Sequence, residues 1–293
     1  MVQKPHMQLS AYAILSAAAI AVGLVASKQA LNTLNAETFS LVWSLLAFVS
    51  ASIYGLSKGR LATFRGLKDH WVPSVAVGLL IAASVLAVSV AVQLSDPTSV
   101  SFLTRLEAVF TAILGMLVFK ERFTRLELLG VAAALGGVLV MTRAAREVPI
   151  LAFGLAVGAS LLVSISTMVA KTALQHLEPV ALIAGSRLVS CLSILLYAVL
   201  FATVQLPSID NLVVIAIGVF WGPFLGFILL YKALSLSEVS RVAALRTSYP
   251  LFVAFFSLLL FRTVPSLVQM LGGALVVLGI LALIRGRHRQ LVA

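Results

Sequence analysis

The sequence predicts an all-α membrane protein with ten transmembrane helices in two inverted five-helix repeats. The first observation is composition: 61% of the 293 residues are hydrophobic and only 11% are charged, whereas soluble domains are roughly half apolar and about a quarter charged. The second is a succession of ten long apolar segments, and the third is an internal repeat. This composition excludes a soluble enzyme and a soluble nucleic-acid-binding domain, because no globular core could bury so much apolar surface.

Ten apolar segments, numbered 1 to 10, follow one another with short breaks. They are 9–28, 36–56, 72–94, 97–119, 124–142, 149–171, 178–203, 210–232, 239–261 and 265–284. Each is long enough to cross a bilayer, which takes about 20 residues of helix. Prolines at several segment starts support these boundaries, since the first turn of a helix needs no proline N–H. The basic and apolar N-terminus also fits a signal peptide; we favour an uncleaved first span because residues 27–31 belong to the internal repeat.

Positive charge is distributed unevenly between the two sides of the predicted membrane. With the N-terminus inside, 14 lysine and arginine residues lie on the cytoplasmic side and 4 on the outside. The positive-inside rule therefore predicts two cytoplasmic termini in the inner (plasma) membrane of a bacterial-type cell. The net charge of +11 is attributed to this orientation and not to nucleic-acid binding. The single cysteine, Cys191, excludes an internal disulfide and a cysteine-based metal site, and we expect no cofactor.

The internal repeat divides the chain into halves 1–143 and 144–293. At a shift of 142 residues, 94–143 lies over 236–285 without a gap, and fourteen of the fifty positions are identical. At a shift of 143, the sequence SKQAL at 27–31 lies over AKTAL at 170–174. Five segments per half is an odd number, so the second copy enters the membrane from the opposite side. An inverted repeat of this kind is typical of transporters that work by alternating access.

The repeated sequences also carry a family resemblance. The stretches LSDPTSVSFLTRLEAVF and LSLSEVSRVAALRTSYPLF, together with Lys28 and Lys171 at the ends of segments 1 and 6, resemble the EamA-type branch of the drug/metabolite transporter (DMT) superfamily. The resemblance implies a bacterial exporter or importer of amino acids and other small metabolites, with a central cavity lined mainly by segments 1, 3, 4, 6, 8 and 9. Glu121 matches an acid that the family places after its fourth span, and Thr263 departs from that pattern in the second copy.

Four charged residues fall inside the apolar segments. An ionised side chain at the bilayer centre costs about 3 kcal/mol or more unless it is paired or hydrated, so a polar cavity is the usual explanation; structural pairing or snorkelling is the alternative. At ~1.5 Å per residue in a core of ~30 Å, Glu107, Arg187 and Arg246 all come near the membrane middle. Arg105, two residues from Glu107, is expected on another helix face. The predicted substrate cavity contains Arg105, Glu107, Arg187, Trp221, Arg246 and Tyr249.

Helix-breaking residues predict bends in segments 8 and 9. Gly222, Pro223 and Gly226 lie in mid-segment, where proline removes a helical hydrogen bond and glycines four residues apart permit close helix packing. Pro250, after Tyr249, is interpreted in the same way. We predict that these bends line or gate the cavity; ordinary helix packing is the alternative. Trp43 and Trp221 could each pack or face the cavity, and Trp221 is assigned to the cavity.

The sequence predicts a secondary transporter of small metabolites. Amino acids are the first choice of substrate, and export is the predicted direction. An arginine fork would bind the substrate carboxylate, and Glu107 would bind the ammonium group or carry a coupling proton. A broad-specificity exporter of amphipathic compounds or drugs is the alternative. An enzyme is not predicted, since the sequence lacks HExxH, GxSxG, paired intramembrane aspartates and a Walker A motif. A channel is the other alternative to a carrier. The sequence lacks a filter-like loop, and flux measurements that show saturation would distinguish the carrier from the channel. The expected partners are a small-molecule substrate and the lipid bilayer, without nucleic acid; monomer and homodimer are both left open.

Overall fold

The computed structural model describes residues 3–57, 70–95, 97–119, 124–144, 149–201, 204–262 and 267–292. Within these ranges every regular element is helical, and helices cover parts of all ten apolar segments. Six helical stretches in the described residues are long and apolar enough to cross a membrane: Gln8–Leu31, Ala36–Ser57, Trp71–Leu94, Ile150–Ala173, Pro179–Phe201 and Ile209–Leu236. The prediction of an all-α membrane protein is confirmed, and the exact number of ten crossings stays a prediction. Glu121, Thr263 and Pro265 lie outside the described residues.

Seven segments form unbroken helices. In lipid, a helix satisfies its backbone hydrogen bonds within one stretch of chain, and these sequences contain few residues that would interrupt it. The helices are Gln3–Leu31 (segment 1), Ala36–Ser57 (segment 2), Trp71–Leu94 (segment 3), Arg125–Ala144 (segment 5), Ile150–Ala173 (segment 6), Pro179–Phe201 (segment 7) and Leu267–Val292 (segment 10).

The other three segments are interrupted. Segment 4 consists of helices Pro97–Leu103 and Leu106–Phe119. Segment 8 begins as helix Ile209–Val219, continues as a π-helix from Phe220 to Gly226, and ends as helix Phe227–Leu236. Segment 9 consists of helix Val239–Leu245, a 3₁₀ turn Arg246–Ser248, and helix Tyr249–Phe261. These interruptions are the features of the fold that position the candidate site.

The two halves pack against each other in a reciprocal way. Segment 3 packs on segment 6 as segment 8 packs on segment 1, segment 4 contacts 6 as 9 contacts 1, and segments 2 and 5 pack on their own counterparts 7 and 10. Small residues are abundant where helices meet: Ala13, Ala17, Ala21, Ala156 and Ala181 are fully buried, which allows the close approach typical of membrane helices. Many large apolar side chains also cover the outside, for example Leu196 and Phe201.

Two lysines connect equivalent elements in the two halves. Lys28 donates from Nζ to the carbonyl oxygens of Val92, at 2.8 Å, and Ser95, at 2.9 Å. Lys171 donates in the same way to Leu234 and to Ser237, the latter at 2.7 Å. Each lysine thus binds the free carbonyls at the C-terminal end of a helix, where a positive charge is favourable. Since 92 and 234, like 95 and 237, differ by 142, the sequence repeat corresponds to a repeated contact.

Candidate functional site

Segments 4 and 9 are interrupted at equivalent positions. The helices of segment 4 separate at Thr104 and Arg105, and the 3₁₀ turn of segment 9 begins at Arg246, which lies opposite Thr104 at the 142-residue shift. In segment 4 the backbone changes from hydrogen bonds that span four residues to bonds that span three. They run from Arg105 N–H to Phe102 O at 3.0 Å and from Glu107 N–H to Thr104 O at 3.1 Å. Transporters commonly form their binding sites at discontinuous helices, and both interruptions carry charged residues.

A cavity of about 170 Å³ lies at these interruptions. Residues of segments 1, 3, 4, 6, 8 and 9 line it, together with Phe39 and Trp43 of segment 2 and Arg187 of segment 7. No described residue of segments 5 or 10 lines it. The set of lining segments agrees with the one implied by the family resemblance. Apart from the charged groups, the walls are mainly apolar.

Three charged residues meet at one side of this cavity and are named the cavity cluster: Arg105, Glu107 and Arg246. Arg246 Nη1 donates to Glu107 Oε1 at 3.0 Å, and Arg105 Nη2 lies 3.4 Å from Glu107 Oε2. Arg105 also donates to the carbonyl of Arg246 at 3.4 Å. The three residues are 4–5% exposed. Both oxygens of the Glu107 carboxylate are therefore occupied by guanidinium groups from two different segments.

The position of Arg105 differs from the helical expectation. In an unbroken helix, a separation of two residues would place Arg105 and Glu107 on different faces. The sequence therefore predicts that Arg105 lies farther from the other charged residues than Glu107 does. The turn between the two helices of segment 4 instead lets both side chains join the cavity cluster. The Arg105 guanidinium also lies over the ring of Tyr249, 4.2 Å from its centre. This arrangement places Tyr249 at the cavity wall as well.

Arg187 lines the same cavity without a carboxylate partner among the described residues. Its side chain projects from the unbroken helix Pro179–Phe201 and is 2% exposed. The guanidinium lies over the Phe227 ring, 4.6 Å from the ring centre, and its Nη1 has no hydrogen-bond partner among the residues that the structure describes. The described residues that line the cavity carry three positive charges and one negative charge.

Segment 8 contributes a widened helical turn to the cavity. Pro223 lies inside the π-helix Phe220–Gly226, consistent with the missing proline N–H and with the tendency of π-helices to occur at functional sites. Gly222 and Pro223 line the cavity. Gly226 lies against segment 1: its carbonyl accepts a hydrogen bond from Ser16 at 2.8 Å, and an added Cβ would lie 2.6 Å from Ile20 Cγ1. Cavity wall and close packing thus occur at neighbouring positions of this glycine-rich stretch, and a role of the bend in gating stays a prediction.

Two predicted site residues lie away from the described cavity wall. Pro250 is buried in the first turn of helix Tyr249–Phe261, where proline is well tolerated; the interruption itself falls earlier, at Arg246–Ser248. Trp221 does not line the cavity and is 42% exposed, because its neighbour Gly222 occupies the helix face turned inward. Trp43 of segment 2 provides the indole ring at the cavity wall instead.

A second group of charges, the end cluster, joins two buried residues to a partly exposed one and was not identified from the sequence. It consists of Glu127, Glu238 and Arg241. Arg241 Nε lies 2.9 Å from Glu127 Oε1, and Arg241 Nη1 lies 2.8 Å from Glu238 Oε2. Glu127 is fully buried, and Thr124 donates to its other oxygen from N at 2.9 Å and from Oγ1 at 2.8 Å. The Thr-x-x-Glu spacing of a capping box at the start of segment 5 was the available signal.

Comparisons with known proteins agree with the fold and with the division into two halves. The model of the EamA-like transporter family matches residues 9–143 and 150–285, one match in each half of the chain. A solved structure, described as the crystal structure of a protein, superposes with a TM-score of 0.77 and covers 97% of this chain and 99% of its own, at 15% identity. That likeness shows the fold alone. No curated protein matches the chain.

Proposed function

Because the chain belongs to the EamA-like transporter family, which makes it a multi-pass membrane transporter of the DMT superfamily, we propose that it moves a small polar metabolite by alternating access through its central cavity. Amino acids are the first substrate class proposed, and export is the proposed direction. The family membership gives transport; the substrate class rests on the cavity. No catalytic activity is proposed.

The proposed topology has ten crossings, two inverted halves and cytoplasmic termini in the inner membrane. The equivalent contacts of Lys28 and Lys171 and the reciprocal packing of the halves support a duplication with approximate two-fold symmetry. Five crossings in each half reverse the entry side of the second copy. An approximate two-fold axis in the membrane plane would then let the two halves exchange roles between inward-open and outward-open states.

The observation that carries the substrate proposal is the group of buried arginines at the cavity wall. Arg105, Arg187 and Arg246 can offer planar guanidinium donors, which recognise carboxylates with two parallel hydrogen bonds. The cavity volume of about 170 Å³ is below the roughly 300–1,000 Å³ of pockets for drug-sized ligands. These features favour a small carboxylate-bearing metabolite over the alternative of a bulky amphipathic compound.

The geometry changes one part of the amino-acid argument. The sequence predicts that Glu107 binds the substrate ammonium group, with proton coupling as an alternative. Both carboxylate oxygens already contact arginines, Arg246 at 3.0 Å and Arg105 at 3.4 Å. Glu107 is therefore better suited to joining segments 4 and 9 than to binding an ammonium group. Substrate recognition is accordingly assigned to the arginines.

Counterflow into proteoliposomes tests the proposed function. The purified protein is assayed with a panel of amino acids, 2-hydroxy acids, nucleobases, polyamines and cationic drugs, each preloaded inside and offered as labelled compound outside. We expect saturable counterflow of carboxylate-bearing compounds and a loss of about tenfold or more in the Arg246→Gln variant, since a charged hydrogen bond contributes about 1.5–3 kcal/mol. Lys232→Gln, which removes an exposed charge of segment 8, is the control. Counterflow restricted to cationic drugs would replace this proposal by the drug-export alternative.

A further inference from the structure

The charges that line the cavity are not balanced. The cavity cluster pairs two arginines with one carboxylate, and Arg187 adds a third guanidinium without a carboxylate among the described residues. Each arginine also has one buried nitrogen without a hydrogen-bond partner in the described part of the chain: Arg105 Nε, Arg187 Nη1 and Arg246 Nε. Buried ionised groups are normally paired or hydrogen-bonded. The cavity therefore has more positive than negative charge and lacks hydrogen-bond acceptors for its arginines.

Arg187 is the arginine of this cavity that has no carboxylate partner among the described residues. The side chain is 2% exposed; its guanidinium lies over the face of the Phe227 ring at 4.6 Å and interacts electrostatically with the buried, uncharged phenol of Tyr231. A ring face attracts a cation but accepts no strong hydrogen bond from the guanidinium plane. The Arg105 and Arg246 guanidinium groups, in contrast, both contact the carboxylate of Glu107. A bound anion would provide the partner that the protein itself does not.

We propose that Arg187 binds the anionic group of the substrate, and that the cavity selects small carboxylates of net negative charge over zwitterions and cations. This inference rests on the transport part of the proposed function, and within it replaces amino acids by anionic carboxylates as the preferred substrates. A bidentate contact between the carboxylate and the Arg187 guanidinium would complete its hydrogen bonding. The ammonium group of an amino acid has no available acidic partner among the described lining residues, because Glu107 is already paired twice.

The rest of the cavity wall defines the remainder of the substrate. Phe39, Trp43 and Phe227 contribute aromatic surface, and Ile81 and Val85 contribute aliphatic surface. An apolar body of a few carbon atoms fits such a wall, whereas a bare inorganic anion would leave it without contacts. The predicted ligand is therefore an organic acid with a small apolar body and one carboxylate.

Three probes with the same apolar body test the selectivity. They are 2-hydroxy-4-methylpentanoate (an anion), leucine (a zwitterion) and 3-methylbutylamine (a cation). Binding to the purified protein in detergent is measured by titration calorimetry and by the rise in Tm, and counterflow is measured with the same three probes. In the wild type we expect the hydroxy acid to bind most tightly and the amine not to bind. Sodium chloride at the same concentration is the inorganic comparison and is expected to have no effect.

Variants of Arg187 identify the group responsible. Arg187→Gln is expected to weaken binding of the hydroxy acid about tenfold to a hundredfold, the range given by one charged hydrogen-bonded contact. Arg187→Lys, which keeps the charge without the planar fork, should fall between the two. Without ligand, Arg187→Gln should unfold at a temperature no lower than the wild type, because it removes an unpaired buried charge. Lys232→Gln should match the wild type.

The outcomes separate this inference from the transport proposal. Equal binding of all three probes, no binding of the hydroxy acid, equal binding of chloride, or an unchanged hydroxy-acid affinity in Arg187→Gln would each overturn the anion site. A lower Tm of unliganded Arg187→Gln with unchanged probe selectivity would assign Arg187 a structural role instead. Binding of the hydroxy acid without counterflow of any probe would leave the anion site in place and overturn the transport proposal.

Discussion

The cavity cluster and the end cluster contain the same kinds of residues in different environments. Each is a group of three charges that joins the first half of the chain to segment 9 or to the residue before it. All three members of the cavity cluster are buried, whereas the end cluster has two buried members, Glu127 and Arg241, and a partly exposed one, Glu238. In the end cluster, Glu127 is fully buried, its two oxygens are bound by Arg241 and Thr124, and none of the three charged residues lines the cavity. In the cavity cluster, two arginines share one carboxylate, two guanidinium nitrogens are unpartnered, and all three residues line the cavity.

The difference shows how a structural ion pair can be distinguished from a binding site. A buried and hydrogen-bonded ion pair such as Glu127–Arg241 has no capacity left for a ligand, and removing one of its members weakens the compensation of a charge in the protein interior. A group that borders a cavity and keeps unsatisfied donors can accept a ligand. We therefore expect the end cluster to determine stability and the cavity cluster to determine transport.

The side of the membrane on which the end cluster lies is the prediction with the largest expected effect. An introduced cysteine is either labelled from a given side or not labelled at all. In a Cys191→Ser background, which removes the single cysteine, Arg125→Cys lies at an exposed position beside the end cluster. A membrane-impermeant thiol reagent should label it only from the cytoplasmic side. Asn32→Cys, exposed between segments 1 and 2, should be labelled only from outside. Labelling of both positions from the same side would contradict the proposed topology.

Glu127→Gln is expected to have the largest effect on stability. The substitution removes the buried carboxylate from Arg241, which keeps only the partly exposed Glu238 as a charged partner among the described residues. Breaking a buried ion pair costs up to about 3–5 kcal/mol. The folded yield in detergent and the Tm should both fall clearly. Glu37→Gln, a carboxylate substitution in the first turn of segment 2, is the control. A Tm within one degree or so of the control would mean that the end cluster contributes nothing beyond its apolar surroundings.

Glu107→Gln is expected to change transport more than stability. It removes the charge that aligns Arg105 and Arg246, but the freed guanidinium groups border a cavity and can be hydrated. Counterflow should fall about tenfold or more, corresponding to one charged contact, while the Tm should fall less than in Glu127→Gln. If Glu107→Gln and Glu127→Gln lose the same amount of Tm and Glu107→Gln keeps its counterflow rate, the distinction between the two clusters fails.

The two prolines provide a smaller test of the same distinction. Pro223 lines the cavity within a π-helix, whereas Pro250 lies in the first turn of a helix and away from the cavity wall. We expect Pro223→Ala to alter the KM or maximal rate of counterflow severalfold at nearly unchanged folded yield. Pro250→Ala should have little effect on either quantity. An equal effect of both variants would show that distance from the cavity does not predict the transport phenotype.

Local sequence patterns were sufficient for the helical fold and for part of the site. The lengths of the apolar segments gave the helices, and the 142-residue match gave the equivalence of the halves that Lys28 and Lys171 display in their contacts. Charge within an apolar segment was enough to identify Glu107, Arg187 and Arg246 as candidates, because such charges are costly in lipid. The structure brings all three to one cavity, although their contact with substrate stays a prediction.

Details that depend on one helix interruption were less accessible. Helical periodicity separated Arg105 from Glu107, and only the turn between the two helices of segment 4 brings their side chains within 3.4 Å. The same limitation applies to Trp221, whose inward or outward direction depends on the π-helix that contains it. Pro250 was a sound indicator of an interruption nearby, but proline is equally compatible with a helix interior bend and with a first turn.

By itself, the sequence determined that this protein lies in a lipid bilayer, that it is helical and that it is duplicated. Apolar segments are formed by residues that are neighbours along the chain, and the duplication is visible when the chain is aligned with itself. The tertiary structure alone decided which charges meet. Glu107 pairs with Arg246 across 139 residues, and Glu127 pairs with Arg241 across 114; no local pattern encodes such partners. Whether a buried charge is satisfied by the protein or left for a ligand depends on the three-dimensional packing of distant helices, which places Arg241 beside two carboxylates and leaves Arg187 facing a cavity.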